Sequence, residues 1–164
     1  MDKDAKEKEK EKEVKTRAGK YLTFNLAGEE YGLEILRVRE IIAMMDITAV
    51  PRTPAFIKGV INLRGKVIPV IDLRLKFCFP EAVVDEETCI IVADVRGVEM
   101  GIMVDKVCEV LSIAESEIDD TPSFGVNVET SFILGIGKAG GNVSILLDIA
   151  RVLTSSEMLH LSAA

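Results

Sequence analysis

The sequence predicts a mainly β protein assembled from two copies of one β module, and three observations carry that expectation. Short runs in which apolar residues alternate with others recur along the chain, each bounded by Gly, Pro or charge. The chain also matches itself at two fixed shifts, and little sequence between the strand-like runs is left for helix. With 164 residues, 48% of them apolar and 29% charged, it can bury a core and keep a solvated surface.

The first element is a charged arm. Residues 1–20 hold eight Lys/Arg against six Asp/Glu, and removing this +2 stretch from the net charge of −7 leaves −9 on residues 21–164. Lys6 to Glu13 alternate in sign, which sets like charges at i,i+4 and offers no apolar stripe for docking. An isolated helix of that length is marginal in water, so residues 1–19 are expected to be a solvated, mobile arm. A body that acidic, without a basic stripe interleaved with aromatics, repels a phosphate backbone, so nucleic acid is not an expected partner. The N-terminus lacks the apolar core of a signal peptide and no stretch has the length to span a bilayer. A cytoplasmic chain without direct membrane insertion is expected.

From Tyr21 the pattern changes. Leu22, Phe24 and Leu26 alternate with Tyr21, Thr23 and Asn25, and Gly28-Glu29-Glu30 interrupts, which reads as strand, turn, strand. Further strand-like runs are Val38–Ile42, Val60–Leu63, Val67–Ile71, Thr88–Val95, Val98–Val104, Val107–Leu111 and Val143–Leu147. Many short strands at regular spacing suit barrels or a sandwich. Pro69, lacking an N–H, places its strand near a sheet edge or a bulge. Helix is expected only as a turn after Pro54, a short segment after Asp72 and a longer one from Asp148 toward His160.

The duplication is visible in the residues themselves. A shift of 69 lays Gly32, Val38 and Glu40 on Gly101, Val107 and Glu109, with Tyr31, Leu33, Ile35, Ile41 and Ile42 on apolar counterparts. A shift of 76 lays Phe56, Ile57, Gly59, Gly65, Val67 and Asp72 on Phe132, Ile133, Gly135, Gly141, Val143 and Asp148. The extra seven residues fall in Ser112–Ser131, an acidic, Ser/Thr/Pro-containing stretch where an insertion is tolerated. Residues 20–155 are thus expected to form one domain, with a first repeat over about 20–86, a second over about 87–155, and 156–164 as helix end and tail. Each repeat alone is small for a stable core, so the two should pack together with a groove where they meet.

Reactive constellations are scarce. Asp72 and Asp148 occupy equivalent places, each ending a strand and opening a helix-like run, which suits helix N-caps. A catalytic dyad across the pseudo-axis is the sharper reading, but Leu73-Arg74 and Ile149-Ala150 are bulky where close approach is needed. Gly135-Ile136-Gly137-Lys138-Ala139-Gly140 matches G-x-G-x-x-G, yet a strand follows it instead of a helix, and the repeat aligns it with a hairpin. His160 is the sole histidine, and Cys78, Cys89 and Cys108 lack metal-ligand spacing and read as reduced, mostly buried thiols. No catalytic residue, metal or cofactor is therefore expected, and binding remains. In Asn62-Leu63-Arg64-Gly65, Asn and Gly suit a tight hairpin turn, with Leu63 and Arg64 projecting outward.

The string from Pro54 to Leu73, PAFIKGVINLRGKVIPVIDL, closely resembles the signature of CheW-like chemotaxis coupling domains. So do Gly28-Glu29-Glu30-Tyr31-Gly32 with Ile35, Val38 and Glu40-Ile41, and Met100 to Asp105 with Val110-Leu111. The similarity runs in order from Tyr21 to Leu153 and leaves out only the arm. It implies two pseudo-symmetric, five-stranded SH3-like β-barrel subdomains sharing a core, with short helices and a C-terminal helix. It also implies a non-enzymatic adaptor in signal transduction, recruited to membrane-associated arrays, that couples cytoplasmic tips of chemoreceptors to the regulatory domain of the histidine kinase CheA. The positions matching the receptor-binding ones are Val38, Lys58, Gly59, Asn62 and Arg64. Those for the kinase are Glu40 and Phe124, with Asp119 near the latter.

Two other readings stand beside this one. The same module could serve another two-component system, or be cut from a larger signalling protein, although the arm and the short C-terminal segment favour a stand-alone chain. An acid hydrolase built on Asp72 and Asp148 is the reading from another class.

Overall fold

The structure, a computed structural model, describes residues 17–124, 130–154 and 157–158. Most of the charged arm, His160 and most of the C-terminal tail lie outside the described residues. The strands in chain order are β1 (Gly19–Leu26), β2 (Glu29–Glu34), β3 (Val38–Ala43), β4 (Ile57–Leu63), β5 (Lys66–Asp72), β6 (Cys89–Val95), β7 (Val98–Val104), β8 (Lys106–Ile113), β9 (Ile118–Asp119), β10 (Ile133–Gly137) and β11 (Ser144–Leu147). Helices α1 (Leu73–Lys76) and α2 (Ile149–Val152) follow β5 and β11. The protein is mainly β, as expected.

The strands form a six-stranded sheet, ordered β8-β1-β2-β11-β10-β9, and a five-stranded one, ordered β3-β6-β7-β5-β4. Neither can be flat. β8 and β9 stand at opposite ends of the first sheet, about 24 Å apart if it were planar. The chain from Ile113 to Ile118 reaches at most about 18 Å, so the sheet must curl. In the second sheet, Thr48, five residues past β3, bridges Val60 on β4 at the other end. Each sheet therefore bends into a barrel, and β9 is the counterpart of the Thr48 bridge.

The duplication holds at the level of single hydrogen bonds. Tyr21 pairs with Leu111 and Ile90 with Ile42, related by the shift of 69. Val70 pairs with Gly101 and Leu146 with Gly32. The Asp72 N–H donates to the Phe56 carbonyl at 2.7 Å, and the Asp148 N–H to that of Phe132 at 2.7 Å. Each sheet nevertheless mixes the repeats: β1 and β2 complete the sheet of β8–β11, while β3–β5 join β6 and β7. The boundary near residue 86 separates repeats of sequence, not sheets.

This exchange explains the burial. Leu22, Phe24, Leu33, Ile71, Ile91, Ile102 and Leu147 belong to one large core fed by both sheets. Ile61, Ile68, Val70, Ile90, Val92 and Met103 fill the interior of the five-stranded sheet, and Tyr21, Ile113, Ile118 and Leu146 that of the six-stranded one. Strands such as β6 are buried on both faces because one looks into its own barrel and the other into the shared core.

β5 stands near the sheet edge, next to the end strand β4; it pairs with β4 and β7, and its pairing with β7 covers only Val70–Asp72, so Pro69 sits just before two neighbours are needed. Two expectations change. The long helix from Asp148 is broken after Val152. Thr154 opens a new turn, its N–H donating to Glu157 Oε1 at 2.7 Å while the Glu157 N–H donates to Thr154 Oγ1 at 3.2 Å. Of the free cysteines only Cys89 is half-buried, whereas Cys78 and Cys108 are exposed. Cys108 lies on an end strand whose outer face meets solvent.

Candidate functional site

The turn Asn62-Leu63-Arg64-Gly65 joins β4 to β5. Asn62 Oδ1 accepts the Gly65 N–H at 2.8 Å, and Arg64 and Gly65 take left-handed φ of 53° and 87°, the pair a tight hairpin requires. Leu63 does not project outward as expected; it is half-buried against the interior of its own barrel. Arg64 is exposed, and its guanidinium donates to the Glu40 carboxylate on β3. That charged hydrogen bond holds the guanidinium pKa above its ordinary value. Because β3 and β4 are the two ends of the sheet, the pair ties the barrel shut at its rim.

The other predicted positions divide in character. Val38, first in β3, is half-buried on the shared core. Gly59 is buried under Thr48 and Ala49: a Cβ there would stand 2.0 Å from the Thr48 carbonyl oxygen, so a glycine is what lets that segment cross β4. Lys58 is half-buried, with Nζ 2.5 Å from Glu81 Oε1 and 3.9 Å from Asp72 Oδ2. Glu81 is held below the usual carboxylate range by this hydrogen bond. Phe124 lies after β9, well away in the chain, and is 62% exposed; Asp119 pairs with Lys138 at 3.0 Å.

The structure thus brings Val38, Glu40, Lys58, Gly59, Asn62 and Arg64 onto β3, β4 and their rim, and leaves Phe124 outside both strands, five residues after β9. Arg64 and Glu40, assigned to different partners, are in contact with each other. Sequence reading missed Ile41 and Val67, both exposed on this barrel, and their repeat counterparts Val110 and Val143, also exposed. The signal was available: the duplication aligns all four.

Asp72 and Asp148 act as caps. Asp72 Oδ1 accepts the N–H groups of Arg74 and Leu75 at 2.9 and 3.3 Å, and Asp148 Oδ1 accepts that of Ala150 at 3.1 Å. Asp72 is 1% exposed, and burial pushes its pKa up against the opposing pull of those N–H groups and Lys58. The G-x-G-x-x-G stretch is the end of β10 and the start of its connection to β11, with a short 3-10 turn at Ala139–Gly141. Among the described residues no group of three His, Cys, Asp or Glu could hold a metal, and no helix is long and apolar enough to cross a membrane.

The fold is a duplicated pair of interlocked β barrels, with a charged hairpin at one rim. The chain belongs to the CheW-like domain family, whose model matches residues 20–157. Among its relatives, "Chemotaxis protein CheW" of Klebsiella aerogenes is 44% identical over 138 residues, covering 84% of this chain and 83% of that protein. The protein of the same name from Bacillus subtilis is 41% identical, covering 72% and 74%. The crystal structure of scaffolding protein TtCheW from Thermoanaerobacter tengcongensis superposes with a TM-score of 0.77 at 36% identity, covering 85% of this chain and 95% of that one. The chain thus stands among chemotaxis scaffold proteins.

Proposed function

We propose that this chain is a non-enzymatic adaptor that couples the cytoplasmic tips of transmembrane chemoreceptors to the regulatory domain of the histidine kinase CheA. It would act in the cytoplasm, recruited to membrane-associated receptor arrays. Family membership supports the scaffold role, and the observation that carries the finer reading is the exposed Arg64 turn closed onto Glu40. An exposed Arg that is already held in one orientation is pre-organised for bidentate contact with a carboxylate or with helix-end carbonyls, as a receptor's helical hairpin offers. The receptor face comprises Val38, Lys58, Gly59, Asn62 and Arg64, with Gly59 acting through the approach of residues 48–49. Glu40 and Phe124 serve the kinase. The two sets meet at the Arg64–Glu40 pair.

Titration of the full chain against a receptor-tip fragment tests the reading. Arg64→Glu is expected to abolish measurable binding while the chain stays folded, with only a small drop in the thermal midpoint, since Arg64 sits in a solvated turn and loses one exposed ion pair. Unchanged affinity would remove Arg64 from the receptor face. Co-sedimentation of the kinase with receptor fragments only when the chain is added is the expected result for coupling, and kinase recovery independent of the chain would overturn it.

A further inference from the structure

A cleft of about 520 Å³ opens beside α1, α2 and the β6–β7 turn, and none of the residues assigned above lines it. It is lined by Lys76 and Phe77 and also by Val152 and Leu153, which are their counterparts at the shift of 76. A space that touches both members of two such pairs lies across the pseudo-two-fold axis. Its lining is not symmetric, and the duplication supplies the control. Where the second repeat contributes Arg96, Ser131 and Arg151, the equivalent residues of the first are Ala27, Ala55 and Leu75.

The cations differ in how far they are already satisfied. Lys76 is held by both oxygens of Glu157, at 2.8 and 2.7 Å. The guanidinium of Arg151 approaches the Asp148 carboxylate through Nε at 3.5 Å, and its side chain is 63% exposed. The guanidinium of Arg96 has no partner among the described residues. Phe77 and Phe132 stack with centroids 5.1 Å apart at the same cleft. On a body carrying a large acidic excess, two under-paired guanidinium groups beside an aromatic stack form a local exception that attracts negative charge.

We propose that this cleft binds a small organic anion, its oxyanion group between Arg96 and Arg151 and its flat apolar body against Phe77 and Phe132. The volume falls in the range of small-molecule sites. Carboxylates and phosphates share the required chemistry, and the guanidinium fork receives either bidentately.

The test follows backbone amide NMR signals of the full chain during separate titrations with phenyl phosphate, benzoate and inorganic phosphate. Saturable shifts at residues 76–77, 96 and 131–132 with phenyl phosphate or benzoate are expected, and comparing the two identifies the preferred oxyanion. Inorganic phosphate, lacking the body, should bind about tenfold or more weakly. Arg96→Ala and Arg151→Leu install the residues of the first repeat, and Ala27 already sits at the equivalent turn with φ of 51°, so the fold should hold. Together they should lower affinity by about tenfold or more. The proposal is overturned if neither aromatic acid gives saturable shifts there, if inorganic phosphate binds as well as they do, or if the double variant binds undiminished.

Discussion

Arg64 and Asp72 show how much two charged residues of one barrel can differ. Arg64 stands in water and gains its definition from one carboxylate across the rim. Reversing the pair, with Arg64→Glu and Glu40→Arg together, should restore the thermal midpoint and the rim closure but not receptor binding, if Arg64 itself meets the receptor. Recovery of binding in the swap would assign its effect to the intramolecular pair alone. Asp72 is buried, and its raised pKa means that the native state holds its proton more tightly than the unfolded chain does. Stability from this group is therefore greatest at low pH and falls as pH rises through the window just above 3.8, the ordinary value. Asn keeps a capping oxygen and cannot ionise. Asp72→Asn should thus gain on the wild type as pH climbs from about 4 and then hold its advantage, as urea unfolding across pH would record; a pH-independent difference would refute it.

At the scale of elements, glycine spacing decided what the sequence could show. β6 and β7 were legible because apolar residues dominate both, in Cys89–Ala93 of β6 and Ile102–Val104 of β7. β10 was not, because Gly135 and Gly137 empty two of its five positions; only its alignment with β4 hinted at a strand. Gly59 and Gly135 occupy equivalent bulges where another segment crosses. At Gly135 a Cβ would meet Ile118 Cγ2 at 2.7 Å and the Asp119 carbonyl at 2.9 Å. Gly59→Ala, facing rigid backbone at 2.0 Å with φ of +141°, should cost about 3 kcal/mol or more by chemical denaturation. Gly135→Ala, whose nearest contact is a side-chain methyl and whose nearest backbone atom stands at 2.9 Å, should cost less. The break after α2 was also written in the sequence, as Thr154 followed three residues on by Glu157, and was masked by the helical look of the flanking apolar residues. Thr154→Ala should lower stability by about 1 kcal/mol.

For the whole molecule, the repeats were readable and their interlocking was not. Self-similarity reports which residues are equivalent, but not whether β2 should pair with a strand of its own repeat or of the other, since Gly32 and Gly101 look alike at either edge. The site was legible to the same extent: Arg64 stood out because the second repeat has Gly140 at the equivalent position, whereas its contact with Glu40 depends on the curl that brings β3 to β4. Cutting the chain in the exposed loop at Val83 and Val84 should yield two fragments that show no cooperative unfolding alone and recover it when mixed. A fragment that folds by itself would contradict the exchanged pairing.

That exchange sets a timetable during synthesis. All five strands of the β3–β7 sheet have been made once Val104 has left the ribosome, whereas β2, in the hairpin made first, waits for β11, which ends at Leu147. At typical elongation rates those further residues take roughly two to nine seconds. Two barrels that are equivalent in space are thus unequal in time, and the oldest hairpin of the nascent chain is the one that spends longest with an unpaired edge.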